Sequence, residues 1–71
     1  MDEEIRSILA GNIRAERTRQ NLTLDELSER TGITRDSISR YEHNRVMPNA
    51  ITLYRIAKAL NTGTDKLLGI K

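Results

Sequence analysis

The 71-residue sequence has no cysteine, tryptophan or phenylalanine, one proline and one histidine. Without cysteine, no disulfide or thiolate zinc site can staple the chain, and one histidine cannot hold a metal unaided. Its apolar stretches are only a few residues long, so none could span a bilayer. The acidic opening Met1-Asp2-Glu3-Glu4 is the opposite of a signal peptide's basic start, and the expected location is the cytoplasm. Tyr41 and Tyr54 are the whole aromatic complement, too few for a platform that stacks single-stranded bases. Both are expected at the core or its edge with the hydroxyl toward solvent. No nucleophile and base pair, metal cluster or phosphate loop is visible, so an enzyme is not expected and no cofactor is implied.

Hydrophobic residues make up 37% and charged residues 31%, the balance of a folded, surface-rich domain. A chain of this length buries only about 60% of its unfolded surface, so one small core and one domain, residues 1–71, are expected. The net charge of +2 is mild, but it is unevenly spread. Residues 1–33 carry five arginines against seven acids, a net −2, while residues 34–71 carry seven basic residues against three acids, a net +4. The C-terminal half could therefore attract a polyanion. Ordinary charge scatter on a solvated helical surface is the alternative.

Ile5, Ile8, Leu9 and Ile13 recur at helical spacing and predict a first helix over residues 2–20 with these four facing inward. Gly11 interrupts it at a cost of about 1 kcal/mol relative to alanine, so fraying or a late start is expected. Arg17 shares the inward stripe with Ile13, and an inward arginine needs a partner. Gln20-Asn21 closes this helix, since asparagine tolerates the left-handed conformation. Thr23 and Glu26 form a capping box, with Leu22 packing back on Leu27, for a second helix over residues 24–31. Gly32 supplies the positive φ that reverses the chain, and Ile33 plugs the turn.

Thr34 caps a third helix over residues 35–43, with Ile38 and Tyr41 inward. Its outer face is Arg35, Asp36, Ser37, Ser39, Arg40 and His43. A purely structural helix would favour Glu and Lys there, because serine is an indifferent helix former; the composition hints that the face is used. Pro48 drives Met47 out of helical geometry, and Asn49 caps a fourth helix over residues 50–60 with Leu53, Ile56, Ala57 and Leu60 inward. Thr62-Gly63-Thr64 leads to a short fifth helix over residues 65–68, where Leu67 and Leu68 close the core. Two short amphipathic helices, each opened by threonine and separated by one glycine, read as a helix-turn-helix inside an all-α, five-helix domain.

IRAER at 13–17, LTLDELSERTGIT at 22–34, ISRYEHNRVMP at 38–48 and LYRIAKALNTGTDKLL at 53–68 resemble the Cro-like phage-repressor helix-turn-helix family, also called XRE. The resemblance covers Leu9 to Leu68. It implies a DNA-binding regulator whose second helix crosses the phosphate backbone while the third enters the major groove. By position, Arg35, Asp36 and Arg40 would face bases, flanked by Ser37 and Ser39. Arginine can bond guanine O6 and N7 together, and Asp36 could accept from a cytosine amino group; alternatively Asp36 complements the helix dipole or orients Arg40. Thr23 and Thr34, besides capping, stand where free amides attract phosphate, and His43, Asn44, Arg45 and Asn49 are further phosphate candidates. Asn44 replaces a glycine usual in the family, and Leu24 replaces a glutamine that contacts the DNA backbone in many members. The resemblance also pairs Arg17 with Glu42.

The expected function is sequence-specific binding of double-stranded DNA as a transcriptional repressor or regulator, by a homodimer on a pseudo-palindromic operator. The resemblance implies contact through the fifth helix, with Leu68 and Ile70 as candidates; they could equally finish the core. The alternative is an antitoxin-like module that binds a protein and regulates itself through DNA, which a large exposed apolar patch would favour. A purely structural interaction module would show binding insensitive to salt.

Overall fold

The computed structural model describes residues 2–70; Met1 and Lys71, counted in the 1–71 domain and in the charge balance, lie outside the described residues. Five helices follow one another: α1 (Asp2–Arg19), α2 (Leu24–Thr31), α3 (Arg35–Glu42), α4 (Ala50–Ala59) and α5 (Thr64–Leu68), with no strand among the described residues. The fold is all-α, and helix ends fall within about a residue of those read from caps and periodicity. His43 and Leu60 cap their helices rather than extend them. Gly11 neither frays nor delays α1, which is continuous from Asp2.

Asparagine sets the exits. Asn21, Asn44 and Asn61 all have φ between 54° and 60°. After each, the next residue's N–H reaches back into the last turn: Leu22 to Arg17, Arg45 to Arg40 and Thr62 to Ala57. These are Schellman endings, in which a left-handed residue lets orphan carbonyls find donors. Before α5 it is Asn61 that takes the left-handed conformation, while Gly63 has φ −85° and serves as the N-cap. The α2 N-terminus carries a complete capping box between Thr23 and Glu26.

α1 packs on α3 and α5, α2 on α3 and α4, and α4 on α5. At 1.5 Å per residue α1 is about 27 Å long, close to the 31 Å longest dimension, so it runs along the whole bundle. Leu9, Ile13, Leu22, Leu27, Ile38, Leu53, Ile56, Ala57, Leu60 and Leu67 form one buried cluster, with Leu24, Ile33, Tyr41, Ala59 and Leu68 packed against it. The inward stripe expected on α1 is shorter than its sequence suggests: Ile5 and Ile8 are exposed. Ile5 lines only a shallow depression with Asp2, Arg6 and Met47. Ile8 sits on the flank of the helix, against Gly69.

Two polar joints lock the second half of α1 to the rest. Arg17 Nε and Nη2 donate to Glu42 Oε2 and Oε1 at 2.7 and 2.9 Å, and Nη1 donates to the Leu22 carbonyl at 2.7 Å. The Arg17 side chain is 17% exposed and that of Glu42 2%, so the pair is largely out of water. The hydrogen bond to Glu42 holds the Arg17 guanidinium above its ordinary pKa despite burial. The second joint is a stripe one turn apart along α1. Asn12 Nδ2 donates to the Leu67 and Lys66 carbonyls, Glu16 pairs with Lys66 and Arg19, and Gln20 Nε2 donates to the Leu60 carbonyl. The hydrogen bond from Arg19 holds the Glu16 carboxyl below its usual range, outweighing the opposing effect of burial.

Three measurements follow by thermal or urea unfolding. Gly11 sits in an open helix interior, whereas Gly32 has φ 74°. Gly11→Ala should therefore stabilise the protein by about 0.5–1 kcal/mol and Gly32→Ala destabilise it by about 1–2 kcal/mol. Arg17→Ala or Glu42→Ala should each cost about 3–5 kcal/mol by leaving one buried charge alone, and the double variant Arg17→Met/Glu42→Leu should cost much less. Because the folded-state pKa of Glu16 is depressed, its contribution is fully present above about pH 4.3 and is lost as pH falls through the lowered value. Glu16→Gln should accordingly flatten the acid-side fall in Tm.

Candidate nucleic-acid interface

The turn that presents α3 is stitched from within. Gly32 N–H donates to the Ser28 carbonyl, the buried Thr31 hydroxyl donates to the Leu27 carbonyl, and Ile33 N–H donates to Thr31 Oγ1. Ile33 packs against the core. The helix that follows is α3. Its buried side is Ile38 and Glu42, with Tyr41 packed alongside. At 100° per residue, Asp36, Arg40 and His43 fall on the opposite side, with Ser39 on one flank and Ser37 on the other, while Arg35 in the first turn lies close to the phase of Glu42. Arg35, Asp36, Arg40 and His43 are exposed, and Ser37 and Ser39 are half-buried.

Two of these arginines have acidic neighbours. Arg40 Nη2 lies 3.1 Å from Asp36 Oδ2, and Arg35 Nη1 lies 3.7 Å from Asp25 Oδ1 at the start of α2. Thr34 Oγ1 accepts from Ser37 N–H and donates to Ser37 Oγ, so Ser37 is engaged in the cap. His43 Nδ1 is 2.7 Å from the Ser39 carbonyl. A carbonyl can only accept, so the proton is on Nδ1 and Nε2 is left without a partner among the described residues.

The phosphate candidates surround this face. Asn44 Oδ1 accepts from Arg6 Nε at 2.9 Å, and Asn49 Oδ1 accepts from Thr52 N–H at 2.8 Å. Both asparagines thus spend their acceptors within the chain and keep their side-chain nitrogens as donors. Arg45 is exposed, and with Ser39, Arg40, His43 and Val46 it lines a shallow notch at the end of α3. Thr23 differs from Thr34. Its amide is taken by the Glu26 carboxylate, whose pKa that hydrogen bond lowers, so a carboxylate already occupies the α2 N-terminus. Leu24 packs against the core, which accounts for the apolar residue there. Arg17 and Glu42 lie behind the face, in the joint already described.

Arg6 and Asp25 belong to this surface and were not singled out from sequence. Arg6 meets Asn44 across 38 positions of chain, and nothing local signals such a contact. Asp25 reads as an ordinary acid in a first helical turn. Among the described residues no group of His, Cys, Asp or Glu is placed to hold a metal, and no helix is long and apolar enough to cross a membrane.

Comparison with known proteins bears on the fold and the family. The helix-turn-helix family HTH_3 matches residues 13–67. Control protein C.SmaI of Serratia marcescens is 40% identical over 65 residues, covering 92% of this chain and 77% of the relative. An uncharacterised HTH-type transcriptional regulator of Methanothermobacter thermautotrophicus is 46% identical over 48 residues, covering 68% and 70% respectively. Among solved structures, a hypothetical transcription factor, NHTF, from Neisseria superposes with a TM-score of 0.86 at 29% identity over 96% of this chain and 79% of its own. An HTH_3 family transcriptional regulator from Vibrio cholerae superposes with a TM-score of 0.90 at 23% identity, a likeness of fold. The superposition covers 97% of this chain, which spans 39% of the Vibrio one. From the shared sequence and the two helices held at a glycine turn, the chain belongs to the helix-turn-helix family HTH_3, of the Cro-like, XRE type.

Proposed function

We propose that the protein binds double-stranded DNA and regulates transcription, with α3 in the major groove. Family membership supports the DNA-binding and regulatory part. One observation carries the finer reading: α3 is clamped on its Ile38 and Glu42 side, while its opposite side offers Arg40 and His43, flanked by the two serines, and its first turn exposes Arg35, with no part in the core. In this reading Arg35 and Arg40 contact guanine edges, and Asp36 lies beside them. Thr34, His43, Asn44, Arg45 and Asn49 hold phosphates, the asparagines through their free side-chain nitrogens; Thr23 offers only its hydroxyl hydrogen.

One module reads few base pairs, so a homodimer on two half-sites about 34 Å apart is proposed, acting as a repressor by occupying promoter DNA. Ile70 is exposed and Leu68 half-buried at the end of α5, which suits contact there. The second reading, an antitoxin-like protein binder that also binds DNA, is favoured by one observation, the exposed Ile51 and Tyr54 on α4.

Selection of bound sequences from a random duplex pool should recover a guanine-containing, two-fold symmetric motif; recovery of no motif would sink the proposal. Arg40→Ala should then relax preference at one base position by about 1–3 kcal/mol, whereas Arg45→Ala should weaken all sequences alike and reduce the salt slope by about 1.

A further inference from the structure

The acids on the DNA-facing surface are not spread at random. Each arginine offered to base edges has an aspartate beside it, Asp36 for Arg40 and Asp25 for Arg35. The phosphate candidate Arg45 has no ion-pair partner among the described residues and stands exposed. All four side chains of the two pairs are exposed, from 64% to 76%, and ion pairs so open to water add little to stability. Their position is costly for a polyanion binder, because two carboxylates stand on the surface that faces DNA in the reading above.

We infer that Asp25 and Asp36 are specificity-determining residues, which penalise contacts of Arg35 and Arg40 with phosphate more than contacts with guanine. The inference rests on the DNA-binding reading above. A guanidinium has five donors, and guanine O6 and N7 occupy only two of them. On guanine, each arginine can keep its aspartate close on another edge. Against a phosphate the geometry is different: the arginine's charge is already offset by its aspartate, so less counterion is released, and the aspartate faces a like charge. Non-specific complexes, which consist almost entirely of phosphate contacts, bear this penalty fully. Arg45 bears none of it and supplies affinity regardless of sequence.

The test uses the full chain and the motif selected by the wild type. Affinities of the wild type, Asp25→Asn, Asp36→Asn and the double variant are measured for that motif and for a scrambled duplex of the same length, across a salt series, with Tm followed in parallel. The ratio of selected to scrambled affinity should fall about three- to tenfold in the double variant, through tighter binding of the scrambled duplex. The salt slope on the scrambled duplex should steepen by up to about 0.9 for each arginine released. Asp36→Glu, which keeps the charge and can still reach Arg40, should restore the ratio. An unchanged ratio overturns the inference. So does a ratio that falls only because the selected motif is bound more weakly, since Asp36 would then be reading a cytosine. Failure of the wild type to select any motif is a different result, seen before any variant is made, and it removes the DNA-reading proposal itself.

Discussion

Everything that α3 presents depends on one buried hydrogen-bonded ion pair. An eight-residue helix is too short to be stable alone, since isolated helices below about 12–15 residues are marginal in water. Its orientation must be imposed from outside. Ile38 anchors the inner side through the core, and Glu42 anchors its last turn through two bonds from Arg17. The same guanidinium holds the Leu22 carbonyl at the entry to α2. One side chain therefore ties the end of α1, the start of α2 and the end of α3 together, and the planar fork of arginine is what lets it do so. Lysine could carry the charge but not the geometry.

With α3 fixed, the surface sorts itself by how each polar group is already engaged. Asn44 and Asn49 already engage their acceptor oxygens at the surface, with Arg6 Nε and Thr52 N–H. Glu26 closes the α2 N-terminus against anions. Thr34 has a serine in the position that Glu26 takes relative to Thr23, so the α3 N-terminus has no such plug. The first amides of α3 are therefore not capped by a carboxylate as those of α2 are, although Asp36 lies in the same turn.

Most of the fold was legible because its signals are local. Thr23 with Glu26, Thr34, Asn49, Gly32 and the periodic Leu53, Ile56, Ala57 and Leu60 each report on a few neighbouring residues, and helices are made of such neighbours. What escaped depends on where the chain goes next. Ile5 has the same spacing as Leu9 and Ile13 but stays exposed, beside Met47 of the loop after α3. Asn12, Glu16 and Gln20 look like ordinary surface residues of α1 until α5 and the end of α4 arrive to meet them. The need of Arg17 for a partner was legible from its inward position, while the choice of Glu42 rested on family resemblance. In the interface, exposure of Arg40 followed from helical phase, whereas Arg35 shares the phase of Glu42 and is exposed because it stands in the first turn of α3. The Arg6 to Asn44 contact and the Asp25 to Arg35 pair did not follow from phase, since each joins different elements.

The central claim is that the outer side of α3, held by the Arg17 to Glu42 joint, is the surface that meets DNA. Nitrogen-15 and proton chemical shifts followed during titration with the selected duplex address this directly. The largest changes should fall on residues 34–40 and 43–49, with small changes along α4. Changes concentrated instead around Ile51, Tyr54 and Lys58, with α3 unmoved, would contradict the account.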